Sequence, residues 1–187
     1  MMNLGYAMCG SFCTLSRSLE MMAELSKSYE ILPIFSEITY HTDTRFGTAA
    51  EMIANAERIS GRPVLHDIVS VEPIGPKKLV DLLLVAPCTG NSLSKAANGI
   101  TDSSVTMAMK SALRIGIPVV LCVASNDGLG GSGQNLIRLL NTKNVYLVPL
   151  KQDDPQKKPL SLVADFSQIP ATIDAALRKE QRQPIFF

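Results

Sequence analysis

The sequence lacks the features that mark several large classes of protein. Its 187 residues carry 18 Lys and Arg against 17 Asp and Glu, so the net charge of +1 gives no basic footprint for nucleic acid. The longest apolar stretch, Ile115 to Ala124, contains glycine and proline and is too short to span a bilayer. The first residues do not show the pattern of a secretory signal peptide, which is a basic segment followed by an apolar run and a cleavage site. We therefore expect a cytoplasmic protein that binds neither nucleic acid nor membrane.

Four cysteines and two histidines are too few and too scattered to predict a metal site. The sequence has no Cys-x-x-Cys pair, and His41 and His66 lie at no ligand spacing from any cysteine. We therefore expect no bound metal, and surface or packing positions for both histidines. The cysteines are expected to be small packing residues in a reducing compartment, with Cys88 set apart by its place in a polar loop.

The length and the apolar pattern predict one α/β domain over residues 1–187, without repeats or linkers. The apolar runs are continuous rather than alternating, which is typical of parallel strands covered on both faces. We predict a three-layer, flavodoxin- or Rossmann-like, doubly wound parallel sheet. Strands are predicted at 4–9, 31–35, 82–86, 118–124 and 145–148, and helices at 15–25, 49–59, 92–98, 102–113, 134–140 and 171–179. Residues 62–76 are predicted to be irregular with a short edge strand, and 151–159 to be polar and extended.

The polar loop Pro87–Ser92 directly follows the apolar run Leu82–Ala86. In a doubly wound sheet the ligand lies at the carboxyl ends of the strands, where this loop falls. Its backbone N–H groups, its hydroxyls and the amide of Asn91 can hold an anionic or heterocyclic ligand without adding charge. The sequence therefore predicts the ligand site here.

Two further loops are candidates for the same crevice. Gly10 and Ser11 follow the first strand, and a glycine, a hydroxyl and helix N-terminal amides form a phosphate cradle. Gly-Ser before a helix is equally an ordinary N-cap, so both interpretations stay open. Ser36 ends the neighbouring strand and would face the same crevice.

The segment Gly128–Gly133 matches the G-x-G-x-x-G pattern of dinucleotide sites and lies between a strand and a helix. Three residues separate the strand end from its first glycine, whereas a nucleotide-binding turn follows the strand almost at once. Asp153 also lies well past the next strand. We therefore interpret this segment as a flexible flap over the ligand, mobile when no ligand is bound.

Arg45 follows the second strand in the loop Thr42–Gly47. Its planar guanidinium offers two parallel donors for a carboxylate. The alternative, which stays open, is a surface pair between Asp43 and Arg45.

The polar loop, continued by Ala96–Asp102, resembles the homo-oligomeric flavin-containing cysteine decarboxylases of the flavoprotein superfamily. That resemblance implies a homo-oligomer that binds FMN. It implies cofactor contacts from Gly10, Ser11, Phe12, Ser36, Pro87, Thr89, Asn91 and Ser92, and from Ser125 and Asn126, where the family's substrate-clamping segment ends.

Several longer segments are similar to the family of dipicolinate synthase B subunits. This similarity implies oxidation of a dihydrodipicolinate-type intermediate to pyridine-2,6-dicarboxylate during sporulation. It also implies an A subunit that brings NADP, and a small dicarboxylate substrate for which Asn91 and Arg45 are the catalytic candidates. The segments that carry the similarity are 42–47, 72–78, 86–91, 125–130, 140–144, 152–155 and 161–165.

One departure from the decarboxylases bears on the chemistry. Their catalytic His lies eight positions before the acidic residue that opens the third long strand. In this sequence that acidic residue is Asp81, and the position eight residues before it is Pro73. Decarboxylation of a cysteine is therefore not expected. Two alternatives remain beside the oxidative role: a catalytically silent scaffold that completes the A subunit, and an independent nicotinamide dehydrogenase that uses Gly128–Gly133.

Overall fold

Seven strands form one central sheet in the computed structural model, which describes residues 1–187. The strands are β1 Met2–Met8, β2 Tyr29–Phe35, β3 Leu82–Thr89, β4 Val119–Ser125, β5 Val145–Leu147, β6 Leu150–Asp154 and β7 Lys158–Ala164. The helices are α1 Leu15–Leu25, α2 Glu37–His41, α3 Ala49–Ser60, α4 Ile68–Val71, α5 Gly90–Ala97, α6 Ser104–Arg114, α7 Gly133–Leu140 and α8 Ile169–Leu177. Single-turn 3-10 helices lie at Phe12–Thr14, Glu72–Ile74 and Phe166–Gln168.

The parallel part of the sheet runs in the order β2-β1-β3-β4, with β5 paired to β4. β4 has two neighbours on its other side, because Val119–Leu121 pair with β5 while Ala124 and Ser125 pair with β7. β7 and β6 form an antiparallel hairpin. The polar segment predicted as simply extended is therefore this hairpin, and the sheet is mostly parallel rather than wholly so.

Burial explains why the parallel strands read as continuous apolar runs. Leu82–Cys88 of β3 and Val119–Val123 of β4 are buried throughout. Burial of each Leu or Val side chain contributes about 1.5–3 kcal/mol to folding. Helices flank the sheet: α1 contacts β1 to β3, α6 contacts β2 to β4, and α8 contacts β3 to β5. None of the helices has the length and apolar character that crossing a membrane requires.

Most predicted bounds differ from the observed ones by one or two residues, the short helices α2 and α4 were not predicted, and three further differences have a local reason. β3 continues to Thr89 through a cis Ala86–Pro87 bond and a register shift, so proline does not end the strand. The N-cap of α6 is Ser103 rather than Asp102, since Ser103 forms a capping box with Thr106. The predicted edge strand within 62–76 is reduced to a single bridge between Leu65 and Ile34.

Gly75, in the segment 72–78, packs directly against α6. Its backbone N–H donates to Ser111 Oγ at 2.9 Å, and that hydroxyl donates to Glu72 O at 2.6 Å. A Cβ at Gly75 would lie 2.2 Å from the backbone oxygen of Ser111, so no larger residue fits. The segment therefore fixes a close contact between the 3-10 helix Glu72–Ile74 and α6.

Candidate functional site

A crevice of about 820 Å³ opens where β1, β3 and β4 end. This volume falls within the range of small-molecule binding sites. The loops after those three strands form its walls, and the β6–β7 hairpin closes one side. The structure brings six of the predicted site residues into the lining: Gly10, Ser11, Thr89, Asn91, Ser125 and Asn126.

The first wall is the loop after β1. The backbone N–H of Gly10 has no hydrogen-bond partner in the chain, and the hydroxyl of Ser11 makes no capping bond. Thr14 Oγ1 donates to Ser11 O at 2.8 Å, and Cys9 N–H donates to Pro87 O at 3.1 Å, which ties the loop to β3. The wall therefore holds open donors on a fixed backbone.

The second wall begins at the end of β3. Thr89 is the N-cap of α5, and its Oγ1 accepts from the N–H of Ser92 at 3.3 Å. Asn91, in the first turn of α5, is exposed, and its amide has no partner within the chain. The amide is thus free to bind a ligand.

Asp127 organises the third wall, which follows β4. Its Oδ1 accepts hydrogen bonds from Ser125 Oγ at 2.6 Å and from Ser132 Oγ at 2.8 Å. The hydroxyl of Ser125, and then that of Ser132, lowers the pKa of the Asp127 carboxyl, because these bonds stabilise its ionised form. The wall therefore carries a fixed negative charge at neutral pH.

Four residues predicted to contact a cofactor lie outside the lining. Ser36 caps α2, where its Oγ accepts from Thr39 N–H at 3.4 Å and bonds the Thr39 hydroxyl at 2.8 Å. Ser92 is buried against Thr89, and Pro87 is buried within β3. Phe12 packs against the hydrophobic core. Local hydrogen bonds therefore occupy the two serines and packing occupies Pro87 and Phe12, which their positions in the sequence did not reveal.

Arg45 also lies outside the crevice, on an exposed turn closed by backbone bonds between Thr44 and Gly47. Its guanidinium stacks 4.8 Å from the centre of the Phe46 ring. The Asp43–Arg45 pair considered from the sequence is not formed, because Asp43 Oδ1 accepts from the N–H of Ala49 at 2.8 Å at the start of α3. A role for Arg45 at a substrate carboxylate stays a prediction.

The Gly128–Gly133 segment forms a packed turn. Leu129 N–H donates to Leu160 O at 2.9 Å, and Gly130 N–H donates to Asp127 O at 2.8 Å. None of its glycines has a positive φ, and a Cβ on Gly128 would lie 2.8 Å from Leu162 Cβ. The glycines therefore permit close packing on β7, and the predicted mobility stays untested. The first glycine does not follow β4 directly, which agrees with the interpretation against a dinucleotide turn.

Cys88 is set apart in the sequence by its polar loop, but the structure places a different cysteine in the crevice. Cys88 is fully buried, and burial raises its pKa well above the ordinary value. The cysteine in the crevice lining is Cys13, which is exposed. Besides Asp127, two charged residues in the lining were also missed, Asp153 and Lys158. Both reach the crevice through the hairpin, for which the sequence carried no local signal.

The sequence profile of the family described as Flavoprotein matches residues 2–156. The chain belongs to the flavoprotein family. The B subunit of dipicolinate synthase from Bacillus subtilis (strain 168) is 44% identical over 183 residues, which cover 97% of this chain and 92% of that protein. The crystal structure of the corresponding B subunit of dipicolinate synthase from Bacillus halodurans C matches with a TM-score of 0.91 and 43% identity, over 100% of this chain and 96% of that one. The resemblance drawn from the sequence is confirmed.

A more distant flavoprotein structure supports the fold alone. DmrB from Burkholderia xenovorans in complex with FMN has a TM-score of 0.69 and 18% identity, over 95% of this chain and 96% of that chain. The predicted single-domain α/β fold is thereby confirmed.

Proposed function

We propose that this chain acts as the B subunit of a dipicolinate synthase. With an A subunit that brings NADP, it would help oxidise a dihydrodipicolinate-type intermediate to pyridine-2,6-dicarboxylate during sporulation. The observation that carries this proposal is the 44% identity over 97% of the chain to the Bacillus subtilis protein. Of the segments that carry the similarity, 42–47 forms the loop before α3, and 125–130 contributes to the wall of the crevice.

We further propose that the crevice binds FMN, and its donor set fits that group. Gly10 N–H and Ser11 Oγ are open donors beside a helix N-terminus, which suits a phosphate. The amides of Asn91 and Asn126, both exposed at the crevice, suit the polar edge of a heterocycle. A bound flavin would supply a hydride acceptor.

In this proposal the chain's residues bind and orient rather than donate protons. Asn91 orients the flavin or the substrate, and Ser125 and Asn126 complete the facing wall. The Asp127 carboxyl is held ionised by its two hydroxyl donors and cannot act as an acid at neutral pH. Arg45 lies outside the crevice and its guanidinium has no anionic partner in the chain, so in this proposal it remains available to a substrate carboxylate.

The crevice lining also argues against cysteine decarboxylation. It contains no histidine. Pro73, at the position of the decarboxylase His, cannot transfer a proton because its side chain has no titratable group. Oxidation of a dihydropyridine instead removes a hydride and a proton. A bound flavin would supply the hydride acceptor, water in the crevice can take the proton, and the donor set can hold the substrate.

Visible absorbance of the purified chain tests the proposal. We expect flavin bands in the chain alone, and oxidation of the dihydropyridine only after the A subunit is added. Activity of the mixture without any flavin would favour the silent scaffold. NADP reduction by the chain alone, abolished by Gly130→Val, would favour the independent dehydrogenase. Size-exclusion chromatography of the same sample tests the expected homo-oligomer.

A further inference from the structure

The crevice has a single cation among its lining residues, Lys158. Its Nζ lies 2.6 Å from Oδ2 of Asp153, which also lines the crevice. Lys158 begins β7 and Asp153 lies near the end of β6, so the pair spans the turn of the hairpin. Every other donor in the lining is neutral, and an anionic ligand therefore has one positive charge available.

The base of the hairpin is fixed while the ion pair at its end is exposed. β7 pairs with β4 through Ala124↔Val163 and Ser125↔Leu162, and Ser161 Oγ donates to Ser125 O at 3.3 Å. The side chains of Lys158 and Asp153 are 59% and 41% exposed. An ion pair so exposed is weak and exchanges partners readily.

Lys158 lines the same crevice as Gly10 and Ser11, whose open donors suit a phosphate. The hydrogen bond and charge of Asp153 raise the pKa of the Lys158 ammonium, and Cys13 adds to that rise. Cys13 follows Ser11 by two residues in the loop after β1. The ammonium and the open donors of Gly10 and Ser11 therefore face one crevice, where a single anionic ligand can meet both.

We propose that Lys158 selects phosphorylated ligands in this crevice, by leaving Asp153 to bind a phosphate held at Gly10 and Ser11. Asp153 is its resting counterion and competes with the phosphate. This role rests on the proposed flavin site. Within that site, Lys158 would be the residue that makes the chain bind FMN more tightly than riboflavin, which has no phosphate. A substrate carboxylate could offer similar anionic chemistry, and the experiment separates the two.

The test is a fluorescence titration of the purified full-length chain, freed of ligand, with FMN, riboflavin and dipicolinate. We expect Lys158→Met to weaken FMN binding about five- to tenfold and to leave riboflavin unchanged, since a charge-assisted contact to an exposed group is lost. We expect Asp153→Asn to tighten FMN binding about two- to threefold, since the competitor is removed. The effect of Lys158→Met should shrink at high salt. Lys157→Met is the matched control, because the neighbouring Lys157 does not line the crevice.

Each contrary result has a distinct meaning. If the wild type binds FMN and Lys158→Met binds it equally well, the role of Lys158 is overturned while the proposed function stands. Equal weakening of FMN and riboflavin, or equal losses in Lys158→Met and Lys157→Met, also overturns it. Weakened dipicolinate binding with unchanged FMN binding overturns it in favour of a substrate carboxylate. Failure of the wild type to bind either flavin overturns both proposals.

Discussion

The hydroxyl of Ser132 donates a 2.8 Å hydrogen bond to Oδ1 of Asp127, and so joins the start of α7 to the turn after β4. Ser125 donates to the same oxygen at 2.6 Å. No cation pairs with this carboxylate. Hydroxyl donors alone therefore hold an ionised group in the wall of the crevice.

Replacement of Asp127 by Asn should destabilise the fold. The amide oxygen of Asn is neutral, so both hydroxyl bonds lose their charge-assisted strength. We expect the free energy of unfolding at pH 7 to fall by about 1 kcal/mol, the low end for such bonds because the site is partly exposed. Urea denaturation measures the loss. Asp174→Asn is the control, since Asp174 is exposed on α8 and makes no hydrogen bond. Equal losses in the two variants would contradict the prediction.

The same carboxylate gives a pH dependence with a definite sign. The pKa of Asp127 is lowered in the folded chain, first by Ser125 and then by Ser132. Its contribution is therefore complete above the unfolded pKa of about 4 and disappears as the pH falls through the folded pKa. The stability difference between wild type and Asp127→Asn should shrink below about pH 4. A difference that stays constant down to about pH 3 would contradict this.

Gly90→Ala should damage the crevice, whereas Gly131→Ala should not. A Cβ on Gly90 would lie 2.6 Å from Ser125 Oγ and 2.9 Å from Ser132 Oγ, the two donors to Asp127. A Cβ on Gly131 meets nothing nearer than 3.5 Å. We expect Gly90→Ala to cost about 1–3 kcal/mol, as overpacking does, and to weaken flavin binding. Thermal unfolding and flavin titration measure both effects, and equal behaviour of the two variants would count against the Asp127 cluster.

Much of the fold could be predicted because local signals agree with burial. α3 begins with a capping box between Thr48 and Glu51 and ends at Gly61, whose φ is +67°. Both ends are therefore encoded locally. The run Leu82–Ala86 reads as apolar throughout because β3 is buried throughout. Rules of this kind placed the parallel strands within a few residues.

The hairpin and half of the site could not be predicted in the same way. Residues 151–153 of β6 are exposed, so no apolar alternation marks the strand. The hairpin is placed by the pairing of β7 with β4 at Leu162 and Ser125, a contact between distant parts of the chain. Lys158 and Asp153 reach the crevice through that pairing alone. Conversely, Ser36 lies at a strand end, as predicted, but its hydroxyl caps α2 instead.

Thiol labelling should identify one cysteine in the native chain. Cys13 is exposed at the crevice, while Cys9, Cys88 and Cys122 are buried. Burial raises the pKa of all three buried thiols, which suppresses their reactive thiolate form. We expect rapid alkylation of Cys13 alone, detected by mass spectrometry of peptides, and slower alkylation when FMN is bound. Cys13→Ser should remove the rapid phase, and rapid labelling of Cys88 would contradict its burial.

Arg45→Ala should lower turnover in the complex with the A subunit without changing flavin occupancy. Arg45 lies outside the crevice and its guanidinium contacts only the Phe46 ring, so neither folding nor cofactor binding depends on it. Loss of one charge-assisted carboxylate contact should reduce kcat/KM by roughly ten- to a hundredfold, or about 1.5–3 kcal/mol. Arg45→Lys should recover part of this, because an ammonium keeps the charge but not the two parallel donors.

Three measurements on the same variants distinguish the possible outcomes for Arg45. Steady-state kinetics with the A subunit present give kcat/KM, visible absorbance gives flavin occupancy, and size-exclusion chromatography gives association with the A subunit. Arg58→Ala is a matched control, since Arg58 is an exposed residue of α3 that bonds only Asn55 within its own helix. Unchanged kcat/KM in Arg45→Ala would make Arg45 a surface residue. Lost association would make it an interface residue, because the exposed turn would then contact the A subunit rather than the substrate.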